Sequence, residues 1–348
     1  MASAQQLLQF LVTGITNGSI YALIALGFVV ISSVTSVINF AQGEFAMLGA
    51  LLAVWLIAAG LPQGLAVVVA VVGVGLFSAV LYQVGLRPAR DASPLTLIII
   101  TIGAALAIRG VALVIWGTDP YQMAPFTAGS PLQVGGAVIR LQSLWVLGTT
   151  LVLQPLLHLF FTRTMLGRSL RACAVNRLAA RLMGIRTDRM ALLAFGLSGG
   201  VGALGGVIIA PIIFATYDMG LMLTLKGFVA AVMGGMVNYP AAVAGGFLLG
   251  ILESLGAGFI SSGYKDAVAF IALFIILLSN LNHSNSAAYP SDEIALIVIG
   301  PPGVTVVEVK HWDLDYVKKN PLRVDGEAER VNDKAKRIAG KIRPAFDP

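Results

Sequence analysis

The segment Ile38-Asn39-Phe40-Ala41-Gln42-Gly43-Glu44-Phe45 gathers two carboxamides and a carboxylate between apolar stretches, and Glu44 is the only acidic residue among the first 90. In a short turn facing water these side chains are simply solvated. At membrane depth an ionisable group is costly and tends to face a cavity or a solute pathway. Gly43 would then permit a helix break that opens backbone groups to a solute. The residues alone leave both readings open.

A second concentration is cationic. Residues 162–189 carry seven arginines, at 163, 168, 171, 177, 181, 186 and 189, opposed only by Asp188. Leu170, Ala174, Leu178 and Leu182 recur at every fourth position and Ile185 follows three later. This spacing predicts one amphipathic helix with an arginine-rich opposite face. Such a helix suits anionic lipid headgroups or a docking partner in the cytoplasm. Cys173, the single cysteine, has no ligand-type neighbour and reads as a small packing residue; alone it excludes a disulfide framework or a cysteine-built metal site. His283 and His311 are too isolated to argue for a metal. No G-x-x-x-x-G-K-[ST] loop occurs, and Gly73-Val74-Gly75 lies inside an apolar stretch, so any ATP that drives this protein binds to a separate subunit.

The elements that must position these groups follow from composition. With 57% hydrophobic and only 11% charged residues, the chain is neither an ordinary soluble domain, at roughly 25% charged, nor a disordered one. The charge is unevenly spread. Residues 1–283 hold 13 Lys and Arg against 7 Asp and Glu, whereas residues 284–348 hold 10 of each. The polar run Asn280–Ser286, followed by Pro290, predicts a junction between a membrane domain, 1–283, and a soluble tail, 284–348.

A bilayer-crossing helix needs roughly 20 mainly apolar residues. Leu7–Ile31, Phe45–Leu61, Leu65–Leu86, Pro94–Trp116, Leu141–Phe161, Met190–Phe214, Leu225–Val237, Ala241–Ile260 and Ala267–Leu278 are candidates. The fold class is therefore an all-α polytopic membrane protein with eight or nine transmembrane or re-entrant helices. The uncharged start, Met1–Gln6, reads as the lead-in to a retained helix. Arginines in the loops 87–93 and 162–189 place both in the cytoplasm, and the base-free loop Gly117–Ile139 outside. Counting onward puts the tail in the cytoplasm; counting backward puts the N-terminus outside. Arg109, inside a span, is expected to snorkel to the outer surface. Gly196-xxx-Gly200, Gly202-xxx-Gly206 and Gly246-xxx-Gly250 let backbones approach, as packing within one bundle or as a subunit interface or moving gate.

Asn17-Gly18-Ser19-Ile20-Tyr21-Ala22-Leu23-Ile24-Ala25-Leu26-Gly27 followed by Ile38–Glu44 resembles the LivH-type permease family, membrane subunits of ABC importers for branched-chain amino acids. Arg171-Ala172 and Ala179-Ala180-xxx-Gly184-Ile185 are similar to that family's ATPase-contacting segment, with Leu178 where many such helices carry Glu. Ala230-Ala231-Val232-Met233-Gly234-Gly235 and Ser261-Ser262-Gly263-Tyr264-Lys265-Asp266-Ala267 extend the likeness over residues 7–280. The resemblance implies a multi-pass subunit of the bacterial inner membrane. Its partners would be a paralogous permease subunit, two cytoplasmic ABC ATPases and a periplasmic or extracellular solute-binding protein, with lipid around it and no nucleic acid. The chain would bind no cofactor, ATP being used by the ATPases. Asn39, Gln42, Gly43 and Glu44 become candidates for the translocation pathway, and Arg171, Ala172, Ala179, Ala180, Gly184 and Ile185 for ATPase coupling. Related permeases handle aliphatic amino acids, amides or urea. A self-sufficient channel or secondary carrier is the alternative without an ATPase.

The tail departs from that family. Asp292–Ile299 and Val304–Val309 are β-rich runs around Gly300-Pro301-Pro302-Gly303, which predicts a hairpin with a four-residue connection. Glu327–Arg343 reads as a charged helix with Asp325 as its cap, making a short α+β tail. Gly300–Trp312 resembles the nuclease-related (NERD) domain of the PD-(D/E)xK fold. The resemblance implies Glu308 and Lys310 as a nuclease remnant on one strand face, in a site whose acids hold Mg²⁺. Ala295 stands where the preceding acid is expected, and the N-terminal portion of that domain has no counterpart. The tail is thus a truncated nuclease-like fragment, and a membrane-tethered nuclease is the alternative activity.

Overall fold

A computed structural model describes residues 4–35, 37–90, 92–236, 238–259, 263, 267, 270, 271, 293–300 and 303–310, with the backbone alone at 4, 177, 178, 293–300 and 303–310. The chain divides into two units, 1–273 and 274–348.

The first unit is helical. It runs α1 (Ala4–Thr35), α2 (Gln42–Ala58), α3 (Gln63–Leu81, continued by a wider turn Tyr82–Leu86), α4 (Pro94–Trp116), a small hairpin of β1 (Leu132–Val134) and β2 (Ala137–Ile139), and then α5 (Leu141–Arg163). Two short helices, α6 (Met165–Val175) and α7 (Arg177–Leu182), lead to α8 (Thr187–Ile209), α9 (Met219–Met233) and α10 (Tyr239–Phe259). Six helices are long and apolar enough to cross a membrane; α2 and α9, of 17 and 15 residues, are shorter. The candidate 267–278 falls largely outside the described residues.

Helix boundaries follow local chemistry. Ser93 accepts a bond from Thr96 N and Pro94 sits in the first turn, where its missing N–H costs nothing. The α9 helix begins at Met219, six residues before the apolar run that predicts it, because Gly220 and Thr224 face the bundle despite their weak hydropathy.

The centre is α1. Its middle, from Ser19 to Ile31, is buried all round, whereas α4 and α5 bury only about a fifth of their apolar windows (22%) and turn the remainder outward. A helix apolar on every side belongs in a core, and one apolar toward its surroundings belongs against lipid. The three glycine pairs serve packing within this bundle, each against a different helix. Gly246 and Gly250 meet Ala22 and Gly18 of α1, Gly202 and Gly206 meet Gln42, Phe45 and Ala46 of α2, and Gly196 and Gly200 meet Gly75 and Val71 of α3.

In the second unit β3 (Glu293–Gly300) pairs antiparallel with β4 (Gly303–Lys310), from Glu293↔Lys310 to Gly300↔Gly303. The ladder takes in both glycines, so two residues rather than four separate the strands. The charged run 327–343 and its cap Asp325 lie outside the described residues, as do His283 and His311.

Candidate functional site at the break between α1 and α2

The polar segment is not a cytoplasmic turn; α1 and α2 are broken inside the bundle. After Thr35 the chain folds back, and α2 begins where Gln42 lies beside Gly27, eight residues before the end of α1. At 1.5 Å per residue that return covers about 12 Å. The outer helices give the same depth. Phe40 N donates to Thr101 Oγ1 at 3.2 Å, and Thr101 and Arg109 lie about 10 and 22 Å along α4 from Pro94. On α8, Gln42 Nε2 donates to the carbonyl of Ser198, midway along its 23 residues, at 3.1 Å.

Asn39, Gln42 and Glu44 are each fully buried, at 0% exposure. Ser198 Oγ lies 2.7 Å from Gln42 Oε1 and 2.8 Å from the carbonyl of Gly27, locking α1, α2 and α8 together. Gly43 N donates to Thr224 Oγ1 at 3.0 Å, and a Cβ at Gly43 would overlap the Gly220 carbonyl, so only glycine lets α9 come this close. Glu44 accepts from Arg109 Nη2, and Gly220 presents its bare Cα to the second carboxylate oxygen. The N-terminal turns of α2 and α9 thus lie side by side, at Gly43–Thr224 and Glu44–Gly220. Each brings its partial positive charge to the same region.

Arg109 corrects the sequence expectation. It does not snorkel outward, because the start of α2 at this depth puts a carboxylate within its reach. Pairing replaces hydration for both charges. Sequence reasoning also missed a second buried cluster. Lys226 of α9 donates to Glu253 Oε1 of α10 at 2.7 Å, and Tyr21 of α1 donates to Glu253 Oε2 at 2.5 Å. The signal was available: Lys226 and Glu253 are the sole charged residues of their helices and have opposite signs.

The arginine-rich segment is also corrected. It is two helices rather than one, interrupted at Asn176, whose side chain caps α7 by accepting from Ala179 N at 2.9 Å. The buried residues are Gly167, Leu170 and Cys173 on α6 and Ala180 on α7. Leu182 is 81% exposed, and the side chain of Leu178 falls outside those described. The break re-aims α7, so a stripe spaced by four cannot continue across it. Among the coupling candidates, Arg171 and Ala179 are exposed, Ala172 and Ile185 half-buried, and Ala180 buried. Gly184, at φ +83°, ends α7: its N–H meets Arg181 O at 2.9 Å while Ile185 N meets Ala180 O at 3.0 Å. Arg181 Nε donates to Thr187 Oγ1 at 3.1 Å and Arg181 Nη2 lies 3.9 Å from Asp188 Oδ1, which pins this segment to the foot of α8, and Arg90 Nη1 to Asp188 Oδ2 at 2.8 Å joins the same foot to the loop before α4.

In the tail, the register sets Ala295 opposite Glu308. The position facing Glu308 thus carries no carboxylate, and the register sets Glu293 opposite Lys310.

Residues 10–277 match the family described as the permease component of branched-chain amino acid transport systems. The chain belongs to that family. It is similar to the high-affinity branched-chain amino acid transport system permease protein LivH of Salmonella typhimurium, 31% identical over 288 residues, covering 78% of this chain and 92% of the relative. BraD of Pseudomonas aeruginosa, bearing the same description, is 30% identical over 285 residues, covering 78% and 93%. Among solved structures, PsaBC from Streptococcus pneumoniae in complex with Fab aligns at a TM-score of 0.42 with 16% identity, covering 78% of this chain and 90% of that one. The permease is thus a multi-pass membrane protein and the transport subunit of an ABC importer, as the sequence resemblance implies.

Proposed function

We propose that the permease translocates branched-chain amino acids across the bacterial inner membrane, through a pathway that includes Asn39, Gln42, Gly43 and Glu44. The observation that carries this reading is a chain break holding three fully buried polar side chains within a bundle of predominantly apolar helices. Such groups within a membrane are costly and mark solute paths. The substrate class rests on the names of the LivH and BraD relatives. Of the ten described helices, six long and two short apolar ones, α2 and α9, form the membrane bundle.

Two cytoplasmic ATPases dock on α6, α7 and the turn at Gly184, consuming ATP on their own sites, while the chain itself binds no cofactor. Arg171, Ala172, Ala179, Ala180, Gly184 and Ile185 form the docking surface. Support comes from the two caps that rigidify it and from the contacts of Arg181 with Thr187 and Asp188 that join it to α8, through which a push would reach the pathway. A paralogous permease completes the membrane pair, and a binding protein delivers the solute. The tail, 284–348, faces the cytoplasm as a nuclease-like remnant, in which Ala295 rather than an acid stands opposite Glu308.

Reconstitution of the permease with its ATPases, membrane partner and binding protein in vesicles tests this reading. ATP-dependent accumulation of leucine, isoleucine or valine is expected. Accumulation without ATPases would establish an autonomous carrier instead. Preference for urea or acetamide would replace the substrate class.

A further inference from the structure

The two buried ion pairs differ in one respect. Glu253 has both oxygens engaged, by Lys226 and by Tyr21, and ties α1, α9 and α10 together. Around Glu44 the bonding is incomplete. Glu44 Oε2, Arg109 Nε and Asn39 Nδ2 are buried atoms without a hydrogen-bond partner among the described residues, as is Trp116 Nε1 two turns along α4 from Arg109. Native interiors leave few such atoms, yet Asn39 and Glu44 flank the start of α2 at the break and Arg109 pairs with Glu44. Arg109 keeps an open edge, its side chain being 19% exposed.

The spare capacity has a definite chemistry. One anionic oxygen is free to accept, and a guanidinium N–H and a carboxamide N–H₂ are free to donate. That set complements a group carrying an ammonium and a carboxylate on one carbon. The first turns of α2 and α9 add partial positive charge for the carboxylate. Resting on the transport reading above, we propose that Glu44, Arg109 and Asn39 bind the zwitterionic head of the amino acid in transit. The ammonium donates to Glu44 Oε2, and the carboxylate accepts from Arg109 Nε and Asn39 Nδ2. A neutral amide or urea lacks the paired charges and matches Glu44 Oε2 and Arg109 Nε less well.

The test uses the assembled importer. In a Cys173→Ser background, which removes the single native thiol, Phe40→Cys places a reporter beside Asn39. Modification by a small cationic methanethiosulfonate is followed with leucine, isoamylamine (no carboxylate) or 4-methylpentanoate (no ammonium) as protectants. Leucine is expected to protect at a concentration at least tenfold lower than either analogue. Equal protection by all three, or protection by none while the unaltered importer accumulates leucine, overturns the proposal. In a second measurement, on the otherwise unaltered chain, Glu44→Gln and Arg109→Lys are each expected to lower leucine uptake more than tenfold, and uptake within twofold overturns it. An unaltered importer that takes up no branched-chain amino acid under ATP would instead sink the transport reading on which this rests.

Discussion

Lys226→Met should be strongly destabilising, and a second substitution should rescue it. Glu253 is 0% exposed, and the Lys226 side chain, 12% exposed, donates to it at 2.7 Å. Removing the lysine strands a carboxylate in a bundle interior, and breaking one partner of a buried pair costs about 3–5 kcal/mol. On the scale of a soluble domain of 150–250 residues that is a fall of about 6–20 °C in Tm. Glu253→Met alone strands the ammonium and should cost a similar amount. The double variant, Lys226→Met with Glu253→Met, loses both charges and keeps similar volume, so it should melt well above either single variant. Tyr21→Phe removes the bond of 2.5 Å to Glu253 but leaves the ion pair, and should cost about 1.5–3 kcal/mol. The assay is thermal unfolding of the detergent-purified permease, run as a double-mutant cycle. If the two single effects simply add in the double variant, the pair does not act as a unit and the reasoning from burial and satisfaction fails.

Other expectations concern helix spacing and the cytoplasmic segment. Gly206→Val would drive a side chain into the carbonyl of Ala46 and force α8 off α2; a loss of about 1–3 kcal/mol or more is expected on overpacking, and an unchanged Tm would show that this glycine does not set the spacing. Asn176→Ala removes the cap of α7 and should cost about 1 kcal/mol. Hydrogen exchange at the amides of residues 179–183 should quicken, and unchanged exchange would mean that the cap does not hold α7. Asp188→Asn breaks a half-exposed tether to Arg90 and should move the melting point little, by about 1 kcal/mol or less. Binding-protein-stimulated ATP hydrolysis should nevertheless weaken, and normal stimulation would remove Arg90 and Asp188 from the coupling route.

What could be read from the residues was whatever depends on composition and short-range pattern. Apolar length identifies spans whatever packs on them, because lipid demands it of any crossing helix. The glycine pairs announced close helix approach, and Asn39, Gln42 and Glu44 stood out because polar groups are rare in such a chain. Depth was different. Whether Glu44 met water or the bundle interior depended on the chain folding back after Thr35, which no local pattern encodes and which the contacts with Ser198, Thr101 and Thr224 decide. Arg109 likewise had two ways to satisfy its charge, and only the position of α2 chose between them. The stripe Leu170–Leu182 misled because a four-residue spacing assumes an unbroken helix, while Asn176 competes for the backbone and starts a new one. The sequence by itself determined that this is a helical membrane protein with a polar flaw near its start. The tertiary structure alone decided that the flaw lies at the centre with a cation beside it, because the partners of a buried charge come from helices distant in sequence.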